Sequence, residues 1–147
     1  MSQAYEIFVD GACSGNPGEA AVGIVIKSKG QVIKEIAKTI GEATNNIAEY
    51  TALIYALQEA LILRADEVKI YTDSELMYRQ ITGQYQVKQG HIKSLFEQVK
   101  HHWKGFKHIE LAHVLRGNNK EADKLATNAL KDKKKQAKMV APMMPSC

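Results

Sequence analysis

The sequence predicts an α/β domain: a mixed sheet with helices on both of its faces. Three observations lead there. Short strand-like apolar segments are interspersed with segments whose apolar residues recur every three to four positions. The first three strand-like segments follow one another with only turns between them, so the sheet opens antiparallel. The later ones are separated by helical segments, the alternation that lays helices across a sheet with parallel neighbours. With 147 residues, 45% of them hydrophobic and 24% charged, the chain has the size and composition of one globular domain with a real core.

Residues 4–10 form the first strand, ending at the turn-rich GACSGNPG. AAVGIVIK and VIKEIAKTI follow, joined by SKGQ as a hairpin through Gly30. From Asn46 to about Leu63, Ile47, Tyr50, Ile54, Leu57 and Leu61 mark the inner stripe of an amphipathic helix. Residues 67–72 form a fourth strand, followed by a short helix from about Ser74. Ile92, Leu95, Phe96, Val99 and Trp103 mark a further helix, with Lys93, Lys100 and Lys104 displaced to another face. HIELAHV is a fifth strand, and a last helix runs from about Asn119 to Leu130. The domain is therefore expected to span residues 1–131. Residues 132–147 have no hydrophobic period and contain two prolines, so a basic, disordered tail is expected there.

Composition excludes several classes. No apolar run reaches the roughly 18–20 residues of a membrane span. MSQAYEIF has neither the basic start nor the apolar stretch of a secretory signal. Two cysteines, Cys13 and Cys147, make no disulfide framework, and no CxxC zinc spacing occurs, so a reducing, cytoplasmic setting is expected. The net charge of +4 is localised: five lysines and one acid in residues 131–147 account for all of it. Residues 79–108 carry a further local excess of five positive charges and four histidines, balanced elsewhere. A basic flank beside acidic strand ends suits a polyanion, although charge alone is equally consistent with a solvated helix face.

The acids carry the chemistry. Asp10 in IFVDGACSGNPG and Asp73 in KIYTDSEL each close an apolar strand, while Glu49 in TNNIAEYTAL and Asp123 in NKEADKLA each lie in the first turn of a helix. If these ends converge, four carboxylates share one site and repel one another unless a cation is present. Hard divalent cations prefer carboxylate oxygens and support in-line phosphoryl displacement. Each acid also has a local explanation. Asp10-Gly11 reads as a turn dipeptide, Glu49 as the return partner of a helix cap at Asn46, Asp73 as a cap, and Asp123 as a complement to a helix dipole. Four independent local needs do not explain why all four acids sit at element ends.

In their flanking residues the motifs resemble ribonuclease H of type 1, over about residues 4–130. The family's first strand ends in an aspartate and a glycine-rich loop, matched by Asp10 and GACSGNPG. TNNIAE matches its asparagine run before a helical glutamate, Thr72-Asp73-Ser74 its TDS, and NKEAD its N-x-x-A-D helix start. The resemblance implies a five-stranded mixed sheet in the order 3-2-1-4-5 and endonucleolytic cleavage of the RNA strand of RNA/DNA hybrids. It further implies two Mg²⁺ ions, with Mn²⁺ possible, held by Asp10, Glu49, Asp73 and Asp123, and products with 5′-phosphate and 3′-hydroxyl ends.

Substrate contacts are implied for Cys13, Ser14 and Gly15 through loop backbone, for Asn16, Asn45 and Asn46 in the minor groove, and for Thr44 on a DNA phosphate. The expected partner is the hybrid duplex, with no membrane association and a monomeric chain. The chain departs from well-known bacterial members by lacking a basic protrusion with tryptophans. ITGQYQVKQGHIK is short, so grip is expected from lysines such as Lys88 and Lys93 or from the tail. His113 and Arg116 both lie before Asp123 at positions suited to assisting turnover, and Arg116, in the loop proper, is the better placed. The alternatives are a same-fold nuclease for double-stranded RNA, a 3′–5′ exonuclease or integrase-like member, and a catalytically silent nucleic-acid-binding module. TNN and SGNPG favour the hybrid nuclease.

Overall fold

The computed structural model describes residues 3–88 and 90–140, with side chains to residue 135. It contains strands β1 (Ala4–Cys13), β2 (Gly18–Ser28), β3 (Gln31–Ala43), β4 (Glu67–Thr72) and β5 (His108–His113). The helices are α1 (Asn45–Ile62), α2 (Glu75–Ile81), α3 (Gly90–Trp103) and α4 (Lys120–Val140), with a 3₁₀ turn at Arg116–Asn118. The five strands form one sheet in the order β3-β2-β1-β4-β5. β2 pairs antiparallel with β1 and β3, while β1–β4 and β4–β5 are parallel, so the sheet is mixed as the sequence predicts.

The β2–β3 turn places Lys29 at φ 52° and Gly30 at φ 80°. Consecutive left-handed residues match the twist of a tight hairpin, and glycine adopts that region without a Cβ penalty.

Alternation along β1 decides which helix meets which face. Ile7 and Val9 pair with Ile26 and Ile24 of β2, and all four are fully buried in one core with Leu53 and Leu57 of α1. The opposite face of β2, represented by Ala21 and Val25, is also fully buried, and α4 packs there. A strand buried on both faces reads as a continuous apolar run, which is why AAVGIVIK lacks polar alternation. α3 packs against α1, and Lys100 donates to the Ile81 carbonyl at 3.0 Å where α2 ends. That lysine therefore has a structural partner at a helix terminus.

Two boundaries differ from expectation. β1 does not stop at Asp10, because residues 11–13 remain paired with β2. Its parallel pairing with β4 ends at Val9↔Thr72, so Asp10 closes that ladder alone. The second correction concerns the tail. α4 continues to Val140, so residues 132–140 are helical and not disordered. Lysine, glutamine and alanine are good helix formers, and no glycine or proline interrupts KDKKKQAKMV. Residues 141–147 lie outside the described residues. Among the described residues, no helix is long and apolar enough to cross a membrane.

Candidate active site

Asp10 and Asp73 each stand one residue beyond the last paired positions of two adjacent parallel strands, Val9 and Thr72. The parallel register therefore sets them side by side. Glu49 reaches them from α1. The helix approaches β1 closely because position 11 is glycine: a Cβ there would lie 2.5 Å from the Ala48 carbonyl carbon and 2.6 Å from the Glu49 nitrogen. Asp10, Glu49 and Asp73 each offer a carboxylate oxygen within 4.8 Å of the others. Asp123, in the first turn of α4, lies outside that group of three but is near enough to raise the Asp10 carboxyl further. Gly23 makes that approach possible. It pairs with Asp10, and a Cβ on it would sit 2.0 Å from the Ala122 carbonyl oxygen.

The local explanations for three of these acids do not survive the geometry, while Asp123 does lie in the first turn of its helix. Gly11 lies within a strand and not in a turn. The cap of α1 is Thr44, whose hydroxyl accepts from Ile47 N at 3.2 Å, so Glu49 lies beyond the capping-box position. The cap of α2 is Ser74, accepting from Met77 N at 3.2 Å, which leaves Asp73 free of that role.

Electrostatics make the cluster costly on its own. Burial and then the charge of Asp73 push the Asp10 carboxyl up to about 7, with Asp123 adding to the rise and a Glu49 hydrogen bond opposing it. Burial, followed by Asp10, holds Glu49 well above the ordinary carboxylate range. No ion pair among the described residues reaches any of the four acids. Three buried side-chain oxygens have no hydrogen-bond partner among the described residues: Asn46 Oδ1, Glu49 Oε2 and Asn119 Oδ1. Such atoms are uncommon in folded proteins, and all three lie in or beside this site. Crowded acids with an orphaned carboxylate oxygen fit a hard divalent cation.

A groove of about 610 Å³ opens beside the acids, lined by Asn16, Thr44, Asn45, Asn46, Glu49, Asp73 and Arg116 among others. The sequence-predicted minor-groove residues and Arg116 are thus brought together with two of the acids. Asn16 Oδ1 accepts from Asn45 N at 3.0 Å, tying the loop after β1 to the start of α1. Other expected contact residues do not line this groove. Cys13 faces inward, its thiol 3.3 Å from the Ala43 carbonyl, and Ser14 closes its own loop on Glu19. Gly15 is exposed in that loop and packs under Gly18. Lys88 and Lys93 are not among the groove-lining residues. His113 tilts against Tyr78 at 5.9 Å between ring centroids and is not among them either.

Sequence reasoning missed Asn119. It is 1% exposed, donates to the Val9 carbonyl at 2.8 Å, and lies 3.5 Å from Asp73 Oδ2. One amide thus ties the start of α4 to the ends of β1 and β4. Ser74 and Leu76, which also line the groove, were likewise not anticipated. A polar residue at a helix start reads as a cap, and only the fold shows that Asn119 points inward. Gly23 did carry a signal, since glycine inside an apolar strand marks close backbone approach.

Fold and site together define an α/β domain whose central strands and flanking helices gather carboxylates beside a polar groove. Comparison with known proteins gives the family. The profile of the "Reverse transcriptase-like" family matches residues 8–129. Ribonuclease HI of Halobacterium salinarum is 39% identical over 126 residues, covering 85% of this chain and 63% of the relative. The chain thus spans less than two thirds of that protein's length. Ribonuclease H of Pseudomonas syringae pv. syringae is 32% identical over 145 residues, covering 88% of this chain and 94% of the relative. The crystal structure of the Halobacterium enzyme superposes with a TM-score of 0.86, covering 88% of this chain and 98% of that one. LC11-RNase H1, solved in complex with an RNA/DNA hybrid, is 37% identical with a TM-score of 0.82, covering 87% and 97%. The chain belongs to the ribonuclease H family.

Proposed function

We propose that this protein is an endoribonuclease that hydrolyses the RNA strand of RNA/DNA hybrids by a two-metal-ion mechanism, leaving 5′-phosphate and 3′-hydroxyl ends. The observation that carries the reading is the meeting of Asp10, Glu49 and Asp73 from three separate elements, with Asp123 of α4 adding to the rise at Asp10, uncompensated by any ion pair among the described residues. The same four residues would hold Mg²⁺, or Mn²⁺ in its place. When bound, the metal pair supplies an activated water and charge neutralisation at the scissile phosphate. Asp10, buried beside Asp73 and influenced by Asp123, would be central among the residues that hold the metal. Asn119 holds the Asp73 carboxylate against the end of β1.

Hybrid selection then falls to the groove. Asn16, Asn45 and Asn46 present amide donors and acceptors of the kind that reads base edges and the 2′-hydroxyl, which is itself both donor and acceptor. Thr44, fixed by its capping bond, offers its backbone and hydroxyl to a DNA-strand phosphate. Arg116, at the groove wall, is placed to neutralise charge as the product departs. The 37%-identical LC11-RNase H1, which binds an RNA/DNA hybrid, supports this choice of substrate.

The test compares end-labelled RNA/DNA, RNA/RNA and DNA/DNA duplexes with Mg²⁺, with Mn²⁺ and with chelator. Cleavage confined to the RNA of the hybrid, and abolished by chelator, is expected. Equal cutting of DNA duplex, or metal-independent cutting, contradicts the reading.

A further inference from the structure

α4 holds seven lysines against Glu121, Asp123 and Asp132, a net +4, which leaves thirteen basic and thirteen acidic residues in the remainder of the chain. The entire net charge of the protein thus resides in one helix. Its distribution around that helix is uneven. Ala122 and Ala126 face the sheet, fully buried, with Leu130 on the same side. At 3.6 residues per turn, Lys120, Lys124, Lys131 and Lys135 fall on the opposite side, with Lys134 on its flank, spaced by four, seven, three and one in chain order. All five are exposed, and none takes part in an ion pair among the described residues. Lys133, on the sheet side, is instead paired with Glu19.

Lysine's helix propensity suits the segment, but folding gives no reason to gather the lysines on one side. Like charges three and four residues apart destabilise a helix, and a lysine in the first turn opposes the helix dipole. The row begins near the acids, since Lys120 follows Asn119, which lies 3.5 Å from Asp73, although Lys120 itself lines a separate hollow with Phe8, Lys27 and Glu121. From there it runs about 22 Å, at 1.5 Å per residue, toward the start of β2, where Lys133 meets Glu19. The apolar side of α4 is spent on the sheet, so the exposed side has nothing to insert into a lipid surface.

We propose that the outward lysine face of α4 is a second nucleic-acid contact, a phosphate-binding rail that carries the duplex beyond the carboxylate groove. The proposal rests on the hybrid-nuclease reading and deepens it: the rail supplies the grip otherwise lost with the short segment between α2 and α3. Its partner is the phosphate backbone, held without reading sequence and without distinguishing RNA from DNA. At about 3.4 Å per phosphate on one strand, the rail matches roughly six or seven base pairs.

The test uses the triple variant Lys131→Gln/Lys134→Gln/Lys135→Gln and a matching triple Lys→Arg variant, each in an Asp10→Asn background so that no substrate is consumed. Binding of labelled hybrids of about 24 and about 8 base pairs is followed by fluorescence anisotropy over a range of salt concentrations. These three lysines lie roughly 16–22 Å along the helix from Lys120, beyond a short duplex seated at the groove. The Gln variant is expected to flatten the slope of log K against log salt by about 2–3 for the long hybrid, at roughly 0.9 per lost phosphate contact. The short hybrid and the Arg variant should keep the wild-type slope, and a long DNA duplex should show the same loss as the long hybrid. With Asp10 restored, the Gln variant should raise KM on long hybrid and leave kcat unchanged. Superimposable salt plots on the long hybrid overturn the rail, as does an equal loss on the short one. A wild-type protein that cuts no hybrid overturns the underlying reading instead, so the two failures are told apart.

Discussion

Asp10 is where the chemistry of a single residue shows most clearly in the whole protein. Its carboxyl titrates near 7 when folded, against 3.8 for the unperturbed group, because burial and Asp73 disfavour its charge. The folded state thus binds more protons than the unfolded one between those values, and metal-free stability must fall as pH rises through that window. The effect is on the order of 2–4 kcal/mol. Glu49, raised for the same reasons, adds to it with the same sign. Chemical denaturation in chelator at pH 5 and pH 7.5 should therefore show the protein weaker at the higher pH. Asp10→Asn should flatten the difference, and a divalent cation should restore stability at pH 7.5. Asn119 gives a second prediction at this scale. Asn119→Ala leaves the buried Val9 carbonyl unpaired, a cost of about 1–3 kcal/mol. Asn119→Asp keeps the shape and places another acid beside Asp73. Both variants should show a smaller rise in Tm on adding divalent metal than wild type, whereas a residue that only filled space would leave the metal-induced shift unchanged.

Among the elements, helix placement depends on two glycines. Gly11 admits α1, and Gly23 admits α4, each bringing an acid to Asp10. Gly23→Ala puts a methyl group 2.0 Å from the Ala122 carbonyl oxygen, which α4 relieves only by moving off β2. A loss of about 1–3 kcal/mol is expected from such overpacking, with weakened metal binding through displacement of Asp123. Thermal melts with and without divalent cation measure both. The segment between β5 and α4 decides between two residues. Arg116 lines the groove, whereas His113 packs on Tyr78. Arg116→Ala should lower kcat more than it raises KM, because its charge is needed as the reaction proceeds, while His113→Ala should act mainly on stability. Steady-state kinetics on both variants, each checked by circular dichroism, give the ranking; the reverse order moves the role to His113.

Across the whole molecule, the elements and the mixed sheet were legible because their determinants are local, whereas the strand order came only through the family resemblance. The Ile47-Tyr50-Ile54-Leu57 period and the doubly apolar AAVGIVIK state which segments are helix and strand. The convergence of Asp10 and Asp73 was legible only through motif resemblance, since it depends on a parallel register that no local pattern specifies. Three further features escaped sequence reading, each for a physical reason. Asn119 points inward because α4 is clamped to the sheet, which its own flanking residues do not reveal. Cys13 faces the Ala20-Ala43-Ala48 cluster because the strand runs on past Asp10. The lysine-rich segment is helical because composition that resembles disorder is also composition of high helix propensity, and a docked helix extends it. In the proposed function, the carboxylate cluster cuts RNA in a hybrid through bound divalent metal. Single-turnover cleavage of an end-labelled RNA/DNA hybrid by wild type and Asp10→Asn, with saturating Mg²⁺ and equal folded fractions, tests it most directly. Wild type is expected to cut, and the variant to lose several orders of magnitude in rate. An Asp10→Asn protein that cleaves hybrid at near the wild-type rate would contradict it.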